Sequence, residues 1–183
     1  MPRPCRCIVL AEDQRQVTFV RKFLYRLGYR YHDVRVEPLP GNRGCGEQWV
    51  RKQYPQSVAA LRNRHAKTAL AVMIDADSKT VEERGRQLSS ALAEAGISLR
   101  AADEKIAHFI PKRNVETWVL CLTGRRVDEE QDYKREPNID HEAIRRAAKE
   151  FFKWSRVNAP VPGHCIPSLW AAFPEARRLR RLD

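Results

Sequence analysis

Six consecutive apolar or small residues, Ala69–Ile74, run directly into Asp75-Ala76-Asp77. An unbroken apolar run of that length, ended by polar residues, is the pattern of a strand buried on both faces of a parallel sheet. A shorter run of the same kind, Arg6–Ala11, is followed at once by Glu12 and Asp13. After it, Val17, Val20, Phe23 and Leu27 recur every three or four residues, so Gln14–Leu27 reads as an amphipathic helix closed by Gly28. Val34–Pro38 alternates and reads as a strand. A helix is expected from Glu47 to Tyr54, resuming after Pro55 from Gln56 to Arg64. Thr80–Ala95 repeats the amphipathic pattern up to Gly96, Ile106–Ile110 supplies a fourth strand, and Val115–Leu122 a short apolar helix. Beyond these, Arg125–Pro137 is polar and reads as a mobile loop. Ile139–Trp154 reads as a basic amphipathic helix, and Ala159–Pro174 is punctuated by prolines.

Strand and helix alternate along the first two thirds of the chain, which predicts an α/β fold with a mostly parallel sheet flanked by helices. Residues 1–124 hold this α/β unit, and residues 125–183 form a small, helical, basic C-terminal extension of the same domain. No apolar run approaches the ~20 residues that cross a bilayer, and Met1-Pro-Arg-Pro-Cys-Arg is no secretory leader, so a cytoplasmic protein with no membrane partner is expected. The five cysteines are scattered, with no C-x2-C pair, which predicts reduced thiols.

Charge adds a candidate partner. With 34 basic against 23 acidic residues the net charge is +11, and arginine dominates the basic set. Guanidinium groups suit bidentate phosphate contacts, so a polyanion such as nucleic acid is the expected partner. Arg177, Arg178, Arg180 and Arg181 form a basic tail. Arg43 lies in the turn-rich stretch 39–46, which contains Gly41, Gly44 and Gly46, where bare backbone amides could help it receive a phosphate.

Three acids stand at predicted strand ends: Glu12 after the first strand, and Asp75 and Asp77 after the third. Ligands of open α/β sheets bind at the carboxyl ends of strands. In a still-extended backbone Asp75 and Asp77 would share a face and reach one hard cation. Carboxylates this close stay ionised together only if something compensates them, and an oxygen-only donor set favours Mg²⁺ or Mn²⁺. The alternative use of the pair is local, with Asp75 capping the next helix and Asp77 opening a turn.

Strand–Glu12–helix, then strand–glycine-rich turn–helix, then strand–Asp75-x-Asp77–helix resembles the Toprim domain of topoisomerases, primases and the overcoming-lysogenization-defect nucleases. The likeness covers about residues 6–110 and implies a Rossmann-like sheet with a metal-dependent phosphoryl-transfer centre. By that resemblance Glu12, Asp75 and Asp77 would be catalytic residues and metal ligands. Pro111-Lys112-Arg113-Asn114-Val115-Glu116-Thr117-Trp118 is similar to a stretch of small stand-alone Toprim-like proteins, which are encoded beside an ATPase in bacterial defence or mobile-element settings. Glu116 is the candidate for a second metal position, and Lys112, with Lys79, for stabilising phosphate charge. The chain departs from the family in placing Asp13 after Glu12 and in lacking a domain with a nucleophilic tyrosine, which points to hydrolysis over topoisomerase chemistry. There is no G-x4-G-K-[ST], so an ATPase would be a separate partner.

The expected function is therefore a metal-dependent nuclease, with DNA ahead of RNA. Two alternatives stand beside it. One is a receiver-like phosphoacceptor domain using Glu12, Asp13, Asp75 and Lys112. The other is a Toprim-shaped nucleic-acid binder without catalysis. Trp49 and Trp118 fall at helical core spacing, while Trp154 and Trp170 read as packing residues first and base-stacking candidates second.

Overall fold

A computed structural model describes residues 6–41, 46–64 and 67–180 of the chain. Four parallel strands, β1 (Arg6–Ala11), β2 (Val34–Val36), β3 (Thr68–Met73) and β4 (Ile106–Phe109), form one sheet in the order β2-β1-β3-β4. Every residue of β3 is buried, as its apolar run requires of a strand covered on both faces. Six helices cover the sheet: α1 (Gln14–Arg26), α2 (Gly46–Arg62), α3 (Val81–Glu94), α4 (Val115–Leu122), α5 (His141–Trp154) and α6 (Pro167–Arg178). This is a Rossmann-like α/β architecture. No described helix is long and apolar enough to cross a membrane.

Alternation along the strands divides the core in two. Ile8, Leu10, Leu70, Val72 and Ile106 pack with Val50, Tyr54, Val58, Leu88 and Leu92 of α2 and α3. On the other face the strands present small residues, Ala11, Ala69, Ala71 and Ala107, and this opens room for large rings from α1, α4, α5 and α6. Phe151 fills the centre of that layer, with ring centroids 4.9 Å from Phe23, 5.5 Å from Phe19 and 5.7 Å from both Trp118 and Phe109. The C-terminal helices thus complete the main core layer.

The helix after β1 lies on one face and the helix after β3 on the other, although β1 and β3 are neighbours in the sheet. Their carboxyl ends therefore flank a topological switch point, where loops diverge and leave a crevice.

Two local expectations need correction. Helix α2 runs unbroken through Pro55. The missing N–H and ring clash cost about 3 kcal/mol, but Val50, Tyr54 and Val58 are fully buried on either side and hold both halves of the helix. The segment 125–137 is irregular but tethered. Asn114 Nδ2 donates to Asp132 Oδ1 (2.8 Å), Ser168 N to Glu129 Oε1 (2.9 Å), and Tyr133 is buried. At the outer edge of the sheet, α6 covers β4: Glu175 accepts the His108 N–H (2.8 Å), and Arg100 donates to the Ile106 carbonyl (2.8 Å) while pairing with Glu175.

Candidate functional site

Ala11 and Met73 are register partners at the carboxyl ends of β1 and β3, and Glu12 and Asp75 follow just beyond. Glu12 Oε1 accepts the Asp75 N–H at 2.6 Å. Gln16, fully buried, ties the two strand ends together a second time. Its Oε1 accepts the Glu12 N–H (3.0 Å) and its Nε2 donates to Asp75 Oδ1 (2.9 Å). Asp13 caps α1 by accepting the Gln16 N–H (2.9 Å), which fixes the first turn and so the position of Gln16.

A buried arginine holds the other side. Arg84 Nε donates to the Asp75 carbonyl (2.9 Å) and Nη2 to the Ala76 carbonyl (3.2 Å), while Nη1 pairs with Glu47 and donates to Gln87 Oε1 (2.6 Å). Glu47 lies in the first turn of α2, so Arg84 also draws that helix toward the strand ends. The approach is close. A Cβ on Gly46 would lie 2.8 Å from Glu12 Cβ and 3.0 Å from the Glu12 carbonyl oxygen, so only glycine fits.

Burial and crowding of like charge dominate the electrostatics. Asp75 is buried, and its carboxyl titrates well above the ordinary range, first through burial and then through the charges of Glu12 and Asp13. Lys134 opposes the shift, and Glu116 adds to it. Burial pushes Glu12 up to about 7, against the hydrogen bond from the Asp75 amide; Asp13 raises it further and Arg84 and Lys134 lower it. The pair resists carrying two negative charges at neutral pH. Glu12 Oε2 and Asp75 Oδ2 take no protein hydrogen bond among the described residues.

The other expected site residues are placed differently. The strand ends at Met73, so the extended backbone that would put Asp75 and Asp77 on one face does not reach Asp77. Asp77 occupies a turn with φ +56°, a conformation aspartate tolerates; its side chain is 67% exposed and pairs with Arg113 (3.3 Å). Lys112 Nζ donates to the Asp77 carbonyl (3.2 Å) and pairs with Glu130 (3.2 Å). Glu116 is buried and paired with Arg15 at 2.5 Å, and its charge adds to the upward shift of Asp75. No three described Asp, Glu, His or Cys side chains are gathered closely enough to hold a metal ion. What the structure brings together is the pair Glu12–Asp75.

The basic tail also has other work. Arg177 Nε donates to the Ser155 carbonyl (2.8 Å). Arg178 Nη1 reaches the carbonyls of Ala102 (2.9 Å), Ala101 (3.2 Å) and Glu104 (3.3 Å), and Arg180 lies over the Phe152 ring (5.7 Å). Arg177 and Arg178 are thus held by neighbouring carbonyls, whereas Nε and Nη2 of Arg180 are buried and take no hydrogen bond among the described residues. Arg43 and Arg181 lie outside the described residues.

Three site residues escaped the sequence reading: Gln16, Arg84 and Lys134. Arg84 carried a signal, since it falls on the apolar stripe of Val81, Leu88 and Leu92, where an arginine must find buried partners. Gln16 is one helical turn from Glu12. Lys134 carries no local signal; its backbone carbonyl is held by Arg15 (3.2 Å) and its N–H by Asp132 (2.8 Å), in the tethered segment.

No protein-family model, no characterised protein and no solved structure matches this chain.

Proposed function

We propose that this chain is a Toprim-type nuclease, a cation-dependent hydrolase of phosphodiester bonds in nucleic acid, with DNA the favoured substrate. One observation carries the reading. Glu12 and Asp75, from adjacent parallel strands, meet at the topological switch point with both carboxyls held above their ordinary range and no described cationic side chain bonded to either. Such a pair is short of positive charge, and a hard divalent ion is the natural complement. Mg²⁺ is commonly held by one or two carboxylates, with water and substrate phosphate completing its shell, so two acids suffice.

Glu12 and Asp75 would hold the ion through the oxygens that no protein donor occupies. Bound there, Mg²⁺ or Mn²⁺ would neutralise the phosphate and lower the pKa of an attacking water. Gln16 fixes the orientation of the Asp75 carboxylate, and Arg84 fixes the backbone beneath it. Lys134 brings positive charge to the same place, where it would favour a phosphate whose charge builds up during reaction. A separately encoded ATPase comes into the proposal from the resemblance.

A receiver-like phosphoacceptor is supported less well, because the lysine it needs, Lys112, is engaged by Asp77 and Glu130. Nicking of supercoiled plasmid in Mg²⁺ or Mn²⁺ tests the proposal. Cleavage is expected from the wild-type chain and should be lost in Glu12→Gln and Asp75→Asn. Calorimetric titration with Mn²⁺ should show the same two variants losing the ion. Wild-type protein that neither binds Mn²⁺ nor nicks the plasmid would overturn it.

A further inference from the structure

Trp49 was expected to be a core residue, yet it is only half-buried. One part packs on the apolar cluster beneath α2, and the rest lines a groove of about 710 Å³. The groove lies between the segment after β2, which contributes Glu37, Pro38, Leu39 and Pro40, and α2, which contributes Gln48, Trp49, Lys52 and Gln53. Its placement links it to the acid pair. Gly46, in van der Waals contact with Glu12, and Trp49 are one helical turn apart on the same helix.

We propose that this groove holds an unpaired nucleotide of a single-stranded nucleic acid whose backbone continues toward Glu12 and Asp75. The inference rests on the nucleic-acid reading above and adds the strandedness of the substrate. An indole anchored on one side and open on the other is a stacking platform that accepts any base. The side-chain amides of Gln48 and Gln53 can both donate and accept, which suits a base edge freed from pairing. Lys52, exposed on the rim, supplies positive charge for the backbone, and the net charge of +11 brings a polyanion to the surface. A base still stacked and paired within a duplex exposes no face to Trp49, so double-stranded substrate would not engage the groove.

The test is fluorescence anisotropy with labelled oligothymidylate and with a duplex of equal length, on the full chain in EDTA so that cleavage plays no part. Wild-type protein should bind the single strand more tightly than the duplex. Trp49→Ala should weaken single-strand binding about tenfold and leave the duplex unchanged, and Trp49→Phe should restore most of the loss. If Trp49→Ala melts early, Gln48→Glu serves instead. It adds a negative charge at an exposed rim position and should weaken the single-strand complex several-fold. Equal affinity for single strand and duplex in the wild type, or full affinity in a folded Trp49→Ala or in Gln48→Glu, overturns the proposal. Wild-type protein that binds oligothymidylate but does not cleave it when Mn²⁺ replaces EDTA would count against the nuclease reading alone.

Discussion

The backbone amide of Asp75 donates to the side chain of Glu12 at 2.6 Å, across 63 residues of sequence. Each acid is thereby part of the other's environment. The Glu12 carboxylate is held by the backbone that carries Asp75, and the charge of each raises the cost of ionising its neighbour.

Burial of both carboxyls, with like charge added, gives the metal-free protein a pH-dependent stability. Both folded-state values are raised above the unfolded ones, so the folded chain holds extra protons once the pH exceeds about 4. The associated stability is full at lower pH and is lost as pH rises through about 7, where Glu12 ionises. In EDTA, thermal melts should show Tm falling between pH 5 and pH 8, roughly. Asp75→Asn keeps an acceptor for Gln16 and should flatten the decline, giving a Tm above wild type at the alkaline end by a few degrees.

The two acids of the Asp-x-Asp motif should not be equal. Asp75→Asn should abolish nicking, whereas Asp77→Asn, in a left-handed turn that asparagine also accepts, should retain at least a tenth or so of it. Comparable silence in both variants would mean that the 76–79 turn rearranges when an ion binds.

Gly46→Ala is expected to damage stability and activity together. Two of the three nearest obstructions to a Cβ belong to the Glu12 backbone, so neither can swing aside. Overpacking of this kind costs about 1–3 kcal/mol, measurable by urea denaturation. The nicking rate at a temperature where the variant stays folded should also drop, because Glu12 must move.

Arg84→Met should be among the most harmful changes outside the acid pair. It removes donors from the Asp75 and Ala76 carbonyls and leaves Glu47 with Arg51 as its cationic partner. The Ala76 carbonyl keeps the Lys79 N–H (3.0 Å), but the Asp75 carbonyl is left without a donor, which costs about 1–3 kcal/mol, so a loss of about 2 kcal/mol is expected from denaturant melts.

The tail arginines offer a contrast. Arg178→Ala should lower stability by about 1–2 kcal/mol, since its guanidinium meets three carbonyls. The salt dependence of nucleic-acid binding should stay unchanged within error. A slope flatter by roughly 0.7–0.9 would instead identify a phosphate contact.

Much of this was legible in the chain. Periodicity located all four strands and every helix but α6, whose prolines hid it, and the strand-end positions of Glu12 and Asp75 followed from where the apolar runs stop. What failed depended on tertiary context. Pro55 looked like a break because local propensity has no knowledge of Val50, Tyr54 and Val58 buried around it. Asp77 looked like a ligand because extended backbone was carried two residues too far. Arg177 and Arg178 looked free because sequence alone does not reveal which carbonyls α6 leaves within their reach. Lys134 was invisible for the reverse reason: an irregular segment has no period, and only its tethers to Asn114 and Arg15 bring it to the acids.

The outer edge of β4 has a consequence for association. An exposed edge strand offers unpaired amides and carbonyls that a second chain can zip onto. Here the His108 amide and the Ile106 carbonyl are already taken by Glu175 and Arg100, and the ion pair between those two clasps α6 over the strand. Recruitment by strand addition is thus left to β2, whose three residues give only a short ladder. Aggregation through β4 would first require the clasp to open.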